Sequence, residues 1–228
     1  MKLVFGFVCA LFYSFMSFGQ ITQWTDINYA NDSLEGHKLD IYLPDGGQTE
    51  YKVVVLIYGS AWFANNMKQM AFQAMGKPLL DGGFAVVSIN HRSSGDAKFP
   101  AQINDVKAAV RFIRAHADEY RLDTSFIGIT GFSSGGHLSS LAGTTNGVKV
   151  YKVGDTEMDI EGNVGDCTSF SSRVDAVVDW FGPIDMTRME NCATTKGVDS
   201  PEAALIGGTP AEHMDVLTLL NPMTYIDE

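Results

Sequence analysis

Beyond its first twenty residues the chain alternates two hydrophobic patterns. Short runs, His37–Leu43, Val53–Tyr58, Phe84–Asn90, Ser125–Thr130 and Val174–Phe181, are rich in Val, Ile and aromatics, several with apolar residues on consecutive positions. Such runs read as strands buried on both faces. Between them the apolar positions recur at helical spacing. Met67–Leu80 is one such stretch, and Ala101–Tyr120 is the clearest, with Ile103, Val106, Val110, Ile113 and Ala117 on one stripe. Pro100 suits the first turn of that helix, where a missing N–H costs nothing. This alternation predicts a three-layer α/β sandwich around a mainly parallel sheet. The strands before Val53 have no helix between them, so they form an antiparallel lead-in.

Thr144–Arg173 interrupts the rhythm with a polar, Gly-punctuated insertion, in which Val148-Lys149-Val150-Tyr151 alternates like a small hairpin. Asp155, Glu157, Asp159 and Glu161-Gly162 are spaced like part of a calcium loop, but Thr168 stands where the closing bidentate Glu is needed. The insertion therefore reads as acidic and solvated, and no metal or other cofactor is expected.

Composition narrows the class. The 228 residues are 45% hydrophobic and 19% charged, which is globular and allows one continuous core. Sixteen basic residues against 27 acidic ones leave a net charge of −11, a balance that repels a phosphate backbone and argues against nucleic-acid partners. Met1-Lys2 followed by the apolar run Leu3–Phe18 and the small Gly19 reads as a signal peptide over residues 1–19. The expected location is secreted or periplasmic, with no stable membrane insertion after cleavage; the alternative is a retained N-terminal anchor. In an oxidising compartment a Cys167–Cys192 disulfide would stabilise by about 3 kcal/mol; two unrelated buried thiols is the other reading.

The strongest chemical signal is Gly131-Phe132-Ser133-Ser134-Gly135. It follows the strand Ser125–Thr130 and opens a helical stretch through Ser140, so it predicts a strained strand–turn–helix that projects the Ser133 hydroxyl above the sheet. Ser133 is the candidate nucleophile, and the backbone N–H of Ser134 points where an oxyanion would develop. A second donor is required, and the loop after Val53–Tyr58 offers the amides of Ser60 and Ala61. Trp62, with Phe63, is a candidate apolar substrate wall; burial under the loop is the equal alternative.

Three segments carry a family resemblance: IYGSAWF, NHRSSGDAKFPAQINDVKAAVRFIRAHA, and GFSSGGHL followed by SRVDAVVDWFGPID. From about Asp26 to Glu228 the chain resembles secreted α/β-hydrolase esterases of the BD-FAE (feruloyl/acetylxylan esterase-like) and hormone-sensitive-lipase-like groups. That resemblance implies one α/β-hydrolase domain over residues 20–228 and an acyl-ester substrate, small or on a polysaccharide. It departs at the oxyanion loop, where the family's His-Gly-Gly-Gly reads Tyr58-Gly59-Ser60-Ala61. Arg92, Pro100 and Asp105 match framework positions and imply an ion pair and a helix entry.

A serine nucleophile needs a base, and in this fold the order is Ser, acid, His. After Ser133 come only His137, one turn along the nucleophile's own helix, and His213 in a polar helix start. His37, His91 and His116 fall upstream, in the wrong order. In the resembled family the acid and His follow a segment similar to Leu220–Tyr225. The expectation is therefore a C-terminally truncated esterase lacking its last strands, acid and His, with Val174–Phe181 left as an apolar edge. The alternatives are an intact enzyme using His213 with Asp185 or Asp199, a serine peptidase of the same fold, and an inactive hydrolase-like scaffold.

Overall fold

The computed structural model describes residues 22–189 and 195–226. Six strands form the main sheet: β1 (Thr22–Asn28), β2 (Lys38–Leu43), β3 (Tyr51–Ile57), β4 (Ala85–Ile89), β5 (Leu122–Phe132) and β8 (Ala176–Trp180). Their spatial order is β1-β2-β4-β3-β5-β8. β1 and β2 pair antiparallel, as does β2 with β4; β4, β3, β5 and β8 run parallel. The antiparallel lead-in and parallel body follow the sequence reading.

Helices cover both faces. α1 (Lys68–Ala71) and α2 (Lys77–Asp81) are joined by a π-helical stretch, Phe72–Gly76, where the predicted single helix is wider. α3 (Ala101–Ala115) ends at His116, and the short α4 (Ala117–Tyr120) completes the segment expected as one helix. α5 (Ser134–Thr144) follows β5, and α6 (Pro201–Ile206) and α7 (Met214–Leu220) come late in the chain.

Side chains alternate along β3 because a strand has period two. Val53, Val55 and Ile57 join the large core with Ile127, Ile129, Ile103, Val110, Leu138 and Leu141, while Leu56 and Tyr58 join the smaller core with Ala71, Leu80 and Val86. Both sets are buried, which is why the run is apolar without interruption.

The insertion is solvated at Asp155, Glu157 and Asp159, which are all exposed, but only partly at Glu161. It carries a hairpin, β6 (Val150–Val153) and β7 (Thr156–Asp159), two residues later than the alternation suggested. Glu161 then reaches back to α3, pairing with Lys107 at 3.1 Å and Arg111 at 2.7 Å, both buried, and accepts the Ser172 hydroxyl at 2.8 Å. The expectation missed this one carboxylate, because acidic composition says nothing about which carboxylate meets a buried cation.

The framework ion pair forms at the entry to α3. Arg92 donates to the fully buried Asp105 carboxylate at 2.6 Å, and His37 bridges Asp105 at 3.1 Å and Asp32 at 2.6 Å. Among the described residues, β8 is an outer strand of the sheet, and Val178, Trp180 and Phe181 beside it are exposed. An apolar groove of about 800 Å³ runs along one face of it, lined by Val54, Phe84, Phe126, Phe132, Val178 and Phe181 among others.

Candidate active site

β3 and β5 are parallel neighbours in register Ile57↔Gly131, so their C-terminal ends open side by side. Crevices outside such ends are where open α/β sheets bind ligands. β5 ends at Phe132 and α5 starts at Ser134, leaving Ser133 as the single residue of the turn, at φ 55° and ψ −126°. A non-glycine residue there stores about 1–3 kcal/mol of strain and needs a surrounding that fixes it. Its N–H donates to Trp180 O at 3.0 Å, and its carbonyl accepts the His137 N–H at 3.0 Å. The serine is half-buried, so its hydroxyl is not sealed in the core.

The glycines follow from sterics. A Cβ on Gly131 would lie 2.5 Å from the Gly135 carbonyl carbon and 2.7 Å from Ile57 O; one on Gly135 would collide with the carbonyls of Ile57 and Tyr58. One on Gly59 would meet Phe132 O at 2.6 Å and Ser133 Cβ at 2.8 Å. The loop after β3 therefore lies directly against the serine turn.

That loop is held by its own bonds. Phe63 N–H donates to Ser60 O at 3.0 Å, Ala64 N–H to Ser60 Oγ at 3.3 Å, and Ser94 N–H to Trp62 O at 2.8 Å. Ala61 and Trp62 both have left-handed backbones, at φ 50° and 61°. Tyr58, standing where the resembled family has histidine, closes the loop: its hydroxyl donates to Ala64 O at 3.1 Å, and its ring stacks on His91 with centroids 4.9 Å apart. Burial holds the Tyr58 phenol well above its usual range, so it stays neutral.

Ser133, Ser134, Ser60 and Ala61 are thus brought together, but not all as expected. The Ser60 N–H is donated to the Ser134 side-chain oxygen at 2.9 Å. Among the described residues the N–H groups of Ser134 and Ala61 donate to nothing. Ser134 opens α5, whose first amides have no intrahelical acceptor and carry the positive end of the helix dipole. Such a pair of free amides beside a strained serine can hold a developing oxyanion.

Trp62 is corrected. At 2% exposure it lies in the core beneath the loop, edge-on to His137 at 5.3 Å, and lines no open surface; the exposed aromatic is Phe63. Sequence alone did not reveal which side of the loop the indole takes. The Cys167–Cys192 pairing falls on Cys192, outside the described residues, as does the expected signal segment 1–19; Cys167 itself is half-buried.

All five histidines are described, and none places a ring nitrogen in a hydrogen bond with Ser133. His37 bridges two aspartates, and His91 faces the Arg92 carbonyl at 2.9 Å. His116 pairs with Glu119 at 3.0 Å. His137 meets Leu220 O at 2.9 Å, and burial lowers its pKa to about 4. His213 precedes α7 against Gly208. Asp185 is engaged by Thr187 at 2.7 Å and Arg188 at 3.3 Å, and forms no bond with His213.

A serine in this turn, on a mostly parallel sheet with an antiparallel lead-in and helices on both faces, defines the α/β-hydrolase class. Within it, the chain belongs to the BD-FAE family, whose profile matches residues 39–228. It is 33% identical over 203 residues to a protein described as the probable carboxylic ester hydrolase LipM of Mycobacterium tuberculosis, covering 88% of this chain and 44% of that one. A solved bifunctional GH43-CE protein of Bacteroides eggerthii is 79% identical with a TM-score of 0.88, covering 90% of this chain and 29% of the other. A truncated form of a carbohydrate esterase from gut microbiota is 58% identical with a TM-score of 0.88, covering 90% and 73%. The chain thus spans less than half the length of the first two.

Proposed function

We propose that this chain carries the nucleophile and oxyanion hole of an exported serine esterase acting on acyl esters of carbohydrates. Ser133 Oγ attacks the acyl carbonyl carbon, and the Ser134 and Ala61 amides hold the resulting oxyanion. Collapse breaks the bond to the alcohol oxygen, which leaves with the serine's proton, and water then releases the acid from the acyl-enzyme. No described histidine ring bonds Ser133, so the base in this reading is an imidazole brought to Ser133 from outside the described residues. The carbohydrate alcohol rests on the 58% identical solved relative, a truncated form of a carbohydrate esterase, and export rests on the apolar Leu3–Phe18 run behind Lys2.

The observation that carries the reading is Ser133 alone in a strained turn between β5 and α5, with Gly59 packed against it. The test is hydrolysis of acetyl and feruloyl esters against an aminoacyl anilide, by the chain and by Ser133→Ala, with and without added imidazole. We expect ester cleavage above the S133A background, raised by imidazole, and none of the anilide. Equal rates for the chain and S133A under all conditions would favour a non-catalytic scaffold, to which the lack of any histidine ring bonded to Ser133 among the described residues also points.

A further inference from the structure

Ser134 offers more than its amide. Its side-chain oxygen accepts the Ser60 N–H at 2.9 Å across 74 residues of sequence, and the serine is 1% exposed. Other hydrogen bonds of the loop close it on itself, through Ser60 O, Ser60 Oγ and the Tyr58 hydroxyl, or tie it to Ser94. Among the described residues, the Ser134 bond is the one that joins the loop to the serine turn.

The consequence concerns which amides face substrate. An N–H carries one hydrogen, and a strong bond needs it near the donor–acceptor line. With its hydrogen on Ser134 Oγ, Ser60 has none to aim at an oxyanion. Ala61 does, and it sits at the first of two successive left-handed residues, a backbone that persists only when fixed from outside. Ser60, immediately before them, is the point at which Ser134 fixes it.

We propose that the Ser134 hydroxyl is a positioning residue that clamps Ser60, so that the oxyanion hole consists of the Ser134 and Ala61 amides and excludes the Ser60 amide. This rests on the reading of Ser133 as the nucleophile.

The experiment is the phosphonylation of the full chain by a 4-nitrophenyl alkylphosphonate, with maximal rate and half-saturation measured separately. Ser133 Oγ bonds to phosphorus, the aryl P–O bond breaks, nitrophenolate leaves, and the serine proton passes to the buffer. The phosphonyl oxygen occupies the oxyanion hole, so the rate reads the hole without any turnover. Ser134→Ala should lower the maximal rate about tenfold or more while half-saturation stays within about twofold. Ser134→Thr, which keeps the hydroxyl, should restore most of it. Exchange of the Ser60 amide hydrogen should quicken in S134A and not in S134T. Should S134A fail to fold, Ser134→Cys, with a weak sulfur acceptor of similar size, should show the same loss. Labelling of S134A or S134C at or above the parent rate would overturn the clamp, because a freed Ser60 amide would then be serving as a donor. Failure of the parent chain to label at Ser133, or equal labelling of S133A, would instead overturn the nucleophile reading and the clamp with it.

Discussion

At Gly59 a single methyl group has nowhere to go, since backbone oxygen and the Ser133 side chain lie within 2.8 Å of it. Gly59→Ala should therefore push the loop off the turn, costing about 1–3 kcal/mol in stability and lowering Ser133 phosphonylation more than global unfolding explains; parallel denaturation and labelling would check both. His137 makes a second residue-scale prediction. Burial drives its pKa from 6.5 down to about 4, against weaker opposing effects of the Leu220 carbonyl and the Asp179 charge. The folded ring stays neutral while the unfolded one takes a proton below pH 6.5, so the unfolded state binds more protons in that window. Its stabilising contribution is complete above pH 6.5 and is lost as pH falls towards 4, about 3 kcal/mol at 1.36 kcal/mol per pH unit. His137→Gln should flatten that part of the stability–pH curve when the two proteins are titrated side by side. At this scale the sequence was informative where backbone sterics dictate the residue. Gly131, Ser133 and Gly135 could be read because their pattern has few other uses at a strand end. Trp62 and the Ser134 hydroxyl could not, since one depends on the side to which a loop folds and the other on a partner in a distant segment.

Elements were legible in proportion to how one-sided their burial is. α3 and the parallel strands β3, β4 and β5 bury continuous apolar surface and stood out. The π-helical stretch at Phe72–Gly76 did not, because apolar spacing does not separate one wide turn from an α-helical one; the Phe72 ring lies over Gly76 there. Within the insertion Glu161 was missed for a related reason. Asp155, Glu157 and Asp159 are exposed, whereas Glu161 neutralises Lys107 and Arg111, each only 1% exposed. Removing one partner of such a group leaves a buried charge without compensation. Glu161→Gln should destabilise the chain by about 3 kcal/mol, since breaking a buried pair costs about 3–5 and Glu161 remains partly solvated; urea unfolding would measure it, with wild-type-like values contradicting the anchoring role.

Across the whole molecule, the sheet is closed on one side by the antiparallel β1–β2 pair and borders β8 on the other. Val178 and Trp180 on β8 are each about half exposed, and Phe181 after it is 79% exposed. An apolar outer strand with unpaired backbone groups is a template for association, and a lysine on it is a common natural remedy. Val178→Lys should reduce concentration-dependent association of the isolated chain in light scattering without lowering Ser133 labelling. Among the described residues no helix is long and apolar enough to cross a membrane.

The claim on which the rest depends is that the hydroxyl after β5 is the reacting atom. The most direct measurement is peptide mapping of the chain after exposure to the phosphonate probe. A single adduct on the peptide containing Gly131–Gly135, assigned to Ser133 by fragmentation and absent in S133A, is the predicted result. An adduct confined to another serine, or none at probe concentrations that label related esterases, would contradict it.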